Sequence, residues 1–163
     1  EEVADCFFGE QQGALLYLLG SDAEYLKSGN DAFDELLDKH GSHPLAGYAR
    51  LVKGVNAGRD FKRVTAAREL DPRQARCAEC IKFLSSVVGE SSARRGLDNI
   101  SLNFAYRYLL AAQRRLDPDA AAADATKTRM IGVFGSKGLK PFVLNSIREQ
   151  AETAYDKPRS VRF

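Results

Sequence analysis

The stretch from Asn30 to Pro72 constrains this chain more than any other. It reads NDAFDELLDKHGSHPLAGYARLVKGVNAGRDFKRVTAARELDP. An amphipathic run leads into a Gly-Ser-His-Pro turn, a second run reaches Gly54 and Gly58, and a third closes on Asp71-Pro72. Apolar residues recur three and four positions apart, and no segment alternates with β-branched residues, so helices are expected and strands are not. An Asp side chain can accept from the unpaired N–H groups of a helix start, and a proline at the first helical position loses no hydrogen bond. Asp71-Pro72, Asp117-Pro118 and, assisted by Ser42, His43-Pro44 therefore mark new helical layers. Such a chain buries its apolar faces by folding helices back on one another.

The spacing predicts helices over residues 3–20, 31–40, 44–57, 60–70, 73–88, 100–116, 118–134 and 141–155, with a helical turn inside 22–28. Paired in order, they make four hairpins. Core stripes are expected at Leu102, Ala105, Tyr106, Leu109, Leu110 and Leu116, at Cys77, Cys80, Ile81, Leu84 and Val88, and at Leu144, Ile147, Ala151, Ala154 and Tyr155. The glycines at 54 and 58 are expected to form a tight turn between two helices. Gly89 to Asn99 reads as a long connection. The segment GVFGSKG lacks the spacing of a phosphate loop and follows no strand. It predicts a helix ending near Phe134, a glycine-permitted turn, and a helix opened by Pro141. Residues 1–157 are read as one helical domain and 158–163 as a basic tail.

Ala66, Arg68, Leu70, Asp71 and Pro72 recur 46 residues later as Ala112, Arg114, Leu116, Asp117 and Pro118. DAFDELLDKHGSHPLAGYARLVKG resembles the second helix, turn and next first helix of a tetratricopeptide repeat. Ala32, Phe33, Leu36 and Leu37 stand at that family's packing positions, and VTAARELDP and LLAAQRRLDP resemble two repeat endings. The resemblance spans residues 9–120. It implies antiparallel pairs in units of about 34 residues, stacked as a superhelix. Here the second unit is short and the third carries an insertion, so the expected fold is an all-α, irregular tetratricopeptide-like superhelix, with an α-α bundle as the alternative.

The resemblance also implies a concave groove lined by the first helix of each hairpin. On that basis Arg50, Lys53, Asn56, Arg73, Arg76 and Lys82 are candidate contacts for an acidic peptide. The expected function is non-catalytic protein or peptide binding, with no cofactor.

Charge gives this reading a second support. Residues 1–40 carry ten acids against two lysines, a net of −8, and the remainder carries 22 bases against 12 acids, a net of +10. That asymmetry can steer an acidic partner to the body or favour head-to-tail self-association. Acids interleave with the arginines and no nucleic-acid motif is present, so a nucleic-acid-associated protein is only an alternative reading. No run of 18 apolar residues is present, so no membrane span is expected. Because the sequence begins at Glu1, a mature exported chain and an excised domain are both open, and the compartment with them.

Two further constellations bear on chemistry. His40-x-x-His43 and Cys77-x-x-Cys80 have metal-ligand spacing, which makes a zinc-stabilised module another alternative. The cysteines also lie on an apolar stripe, where thiols pack as small hydrophobes. With two histidines and no serine in a nucleophile elbow, catalytic sets have few members to draw on.

Overall fold

Six helices carry the chain in the computed structural model, which describes residues 23–64, 70–89, 97–116 and 121–153. They are α1 (Ala23–His40), α2 (Ala46–Val64), α3 (Leu70–Gly89), α4 (Asn99–Leu116), α5 (Ala121–Gly135) and α6 (Pro141–Thr153). No strand occurs among the described residues, and the fold is all-α. The expected helix over 3–20, Pro118, and the tail at 158–163 lie outside the described residues.

Local chemistry sets the helix starts. Ahead of α2, the Leu45 N–H donates to His43 Nδ1 at 3.2 Å and the Ala46 N–H to the His43 carbonyl at 2.9 Å. Pro44 sits in that turn, two residues before the helix. Pro72 is the third residue of α3, within the first turn, where its missing N–H would have had no helical partner. Asp98 caps α4: its Oδ1 accepts from the Ser101 N–H at 2.7 Å and its Oδ2 from the Ser101 hydroxyl at 3.3 Å. The Ser101 backbone bond is the main reason the Asp98 carboxyl lies below its ordinary range. Between α5 and α6 the GVFGSKG reading holds. The helix ends at Gly135, Gly138 takes φ +64°, and Pro141 opens the next helix.

One expected turn is absent. Residues 44–57 and 60–70 do not form two helices, because α2 runs unbroken through Gly54 and Gly58 to Val64. A glycine costs a helix about 1 kcal/mol, and close packing of α2 on α3 more than offsets it. A Cβ at Gly54 would fall 2.5 Å from Leu84 Cγ and 3.3 Å from Phe83 Cβ. Gly54 is thus the contact point between two helices. The hairpins among the described residues are accordingly α1/α2, α3/α4 and α5/α6, three in number.

Each helix packs against the next in sequence, and short connections make such neighbours antiparallel. The contacts agree. Arg50 of α2 reaches the Gly41 carbonyl at 3.0 Å, while Lys53, further along, reaches Asp34 at 2.6 Å. Cys77 of α3 lies in the field of Arg115, and Cys80 donates to the Tyr108 carbonyl at 3.8 Å. Tyr106 of α4 meets Phe134 of α5 edge-on at 6.2 Å. Beyond chain neighbours, α2 packs on α4 and α4 on α6. The even-numbered helices therefore run in one direction and meet as a layer, and the odd-numbered ones run the other way.

The main core lies between α2 and α6, around Leu84, Tyr106, Leu109, Leu110, Met130 and Phe134, all fully buried. Burying one such side chain contributes about 1.5–3 kcal/mol. A smaller cluster of Phe33, Leu36, Ala46 and Ala49 joins α1 to α2. Most of the expected stripe positions are inside. Leu116 is exposed, Ile81 and Leu144 are half-buried, and Ala154 and Tyr155 lie outside the described residues.

Candidate functional site

Two of the six expected peptide contacts have internal tasks instead. The Lys53 side chain is only 6% exposed. Its ammonium pairs with Asp34 at 2.6 Å, lies 3.5 Å from the Asn30 carbonyl, and sits 5.2 Å from the centre of the Phe83 ring. A buried ammonium needs partners of this kind, since desolvation otherwise costs several kcal/mol. Here the partners come from α1 and α3, so Lys53 ties three helices together. Arg50 is half-buried and donates to the Gly41 carbonyl just past the end of α1, where helix carbonyls lack internal partners. Neither faces an open groove. Asn56 is half-buried. Lys82 is exposed, its Nζ 5.5 Å from the Phe83 ring centre. Arg73 and Arg76 belong to the first two turns of α3, and their side chains lie outside the described residues.

The histidine and cysteine pairs are kept apart by the fold. His40 ends α1 and His43 sits in the turn, with its Nδ1 taken by the Leu45 N–H. Cys77 and Cys80 are buried on α3 against α4. Among the described residues no three His, Cys, Asp or Glu side chains gather to hold a metal ion. Desolvation pushes the Cys80 thiol up to about 12, with Cys77 and Glu79 adding to the rise, and it raises Cys77 as well. Zinc binding and nucleophilic attack both need thiolate, and burial disfavours it at these two positions.

A different set of residues stands out at the surface. Leu45 and Tyr48 at the start of α2, Ile100 and Phe104 in the first two turns of α4, and Phe142 at the start of α6 are all exposed. Ile100 and Phe142 are the extremes, at 71% and 70%. The even helices are parallel, so these five residues lie at one end of the stack. Leu116, the remaining exposed large apolar residue described, closes α4 at the other end. Phe104 and Tyr108 follow each other on one side of α4, ring centres 6.5 Å apart. Lys137 and Lys140, both exposed, precede Phe142. None of α2, α4 and α6 has an acid in its first turn, and the Asp98 carboxylate is turned to the Ser101 N–H.

Reasoning from the sequence missed this group because it followed the buried stripes. The signal was present: Ile100 and Phe104 are four apart and lie off the stripe through Leu102, Ala105, Tyr106 and Leu109. No helix among the described residues is long and apolar enough to cross a membrane. No family model, curated protein or solved structure matches this chain.

Proposed function

We propose that this chain is a non-catalytic scaffold that binds another protein or a peptide. It would be an irregular hairpin stack of the tetratricopeptide-like kind. Packing of α2 on α4 and of α4 on α6 supports that arrangement, because hairpin stacks bring alternate helices together in a layer. The observation that carries the functional reading is the exposed pair Ile100 and Phe104 on α4, the helix at the centre of the stack. Large apolar groups held in water by a rigid helix gain free energy when a partner covers them, and aromatic residues serve often as anchors in interfaces. The binding surface then differs from a basic groove, since Arg50 and Lys53 are committed within the fold.

The test is affinity capture from source-cell lysate with the immobilised wild-type chain and an Ile100→Ser/Phe104→Ser variant. Both positions are exposed, so the variant should retain the wild-type helical circular dichroism and melting temperature. The expected result is a reproducible partner held by the wild type and lost by the variant. Equal recovery by both, or recovery by neither, would overturn the reading.

A further inference from the structure

We infer that the end of the stack built from the first turns of α2, α4 and α6 is a docking row for an acidic amphipathic helix of another protein. The row would accept a helix whose apolar residues recur about every seven positions. This rests on the scaffold reading above and goes further by stating the partner's chemistry and spacing.

Geometry supplies the spacing. Alternate helices pack side by side in the layer α2–α4–α6, and packed helices lie about 8–10 Å apart. The exposed apolar groups stand on three neighbouring helices: Leu45 and Tyr48, then Ile100 and Phe104, then Phe142. Three anchor positions about 10 Å apart therefore form a row. A partner helix rises about 1.5 Å per residue, so two turns, or about seven residues, span one interval. A helix of about 18 residues covers all three anchors.

Charge supplies the sign. Lys137 and Lys140 are exposed directly before Phe142. The three helices present first turns without an acid, so their partial positive ends are not offset there. Asp98 is the acid nearest Ile100 in the described sequence, and it spends its carboxylate on its own helix. Carboxylates flanking the partner's apolar residues would meet positive potential along the row. A basic amphipathic helix would meet repulsion.

The test uses fluorescence anisotropy with the full chain and three synthetic helical peptides of about 18 residues. The first carries leucines about seven positions apart among glutamates and alanines. The second keeps the leucines and replaces glutamate by lysine. The third keeps the glutamates and moves the leucines about five positions apart, off the helical face. The first should bind at least about tenfold more tightly than either of the others. Phe104→Ser and Phe142→Ser should each weaken it about tenfold, and Lys137→Glu/Lys140→Glu should weaken it while improving the second. Leu116→Ser, at the opposite end, should change nothing.

Equal binding of the three peptides, no binding of the first, or indifference of the first to Phe142→Ser would each overturn the row. So would two further results obtained without binding of the first peptide. One is Phe142-dependent association with equimolar phosphatidylserine–phosphatidylcholine vesicles, and the other is Phe142-dependent self-association in sedimentation. If lysate capture still depends on Ile100 and Phe104 while the peptides fail, the scaffold reading stands and only the acidic-helix row falls.

Discussion

The Cys80 thiol donates to the Tyr108 carbonyl inside the α3–α4 contact, and desolvation pushes its pKa from 9.0 to about 12. A group whose folded pKa exceeds its unfolded value favours folding in its protonated form. That contribution is complete below pH 9.0 and is lost as the pH rises towards 12. Urea unfolding between pH 8 and pH 11, at about half-unit steps, should therefore show wild-type stability falling more steeply than that of Cys80→Ala. Parallel slopes would mean the thiol is better solvated than its position implies. Cys77-x-x-Cys80 also shows what spacing alone conveys. Its place on an apolar stripe was legible, whereas Lys53 was not, because its environment comes from Asp34 and Phe83, on two other helices. A lysine three residues from an arginine on one helix looks solvated until the tertiary fold buries it.

Helices α4, α5 and α6 were legible almost to their ends because local chemistry marks them. Their apolar periodicity is continuous, Gly138 supplies a left-handed turn, and Pro141 starts the last helix. Helix α2 was not legible as a unit, since Gly54 and Gly58 carry the local signature of a break. What keeps α2 whole is contact with α3, which no local pattern encodes. Gly54→Ala isolates this effect. Alanine should gain about 1 kcal/mol of helix propensity. Its Cβ would nevertheless fall 2.5 Å from both Leu84 Cγ and Cδ2, atoms packed in the core. The expected net outcome is a loss of about 1–3 kcal/mol in urea unfolding. Leu84→Ala in the same chain should cost less than it does in the wild type, because it removes the clash. Strict additivity would place the strain elsewhere.

At the scale of the whole molecule, the two core clusters divide the load unequally. The larger one spans α2 to α6, and α1 is held by the small cluster around Phe33 and Leu36 together with the Lys53 clasp. Opening α1 would bring the Lys53 ammonium back to water, so the clasp closes only when α1 is seated. Asp34→Ala should cost about 1–2 kcal/mol, a figure reduced because the carboxylate is itself 54% exposed. That cost should appear in hydrogen exchange as faster opening of α1, with α4 amides unchanged. Uniform acceleration across the molecule would show that α1 and the body open together. The acidic head and basic body read from the sequence thus meet in part within one chain, with Asp34 of the first segment held by Lys53 of the second.

The common direction of α2, α4 and α6 carries a rule of parity for this architecture. Appending a pair of helices would extend the anchor series by one place on the same side. Appending a single helix would leave any new anchor on the far side, out of reach of whatever spans the others. Growth or loss by twos is the change that such a surface can survive.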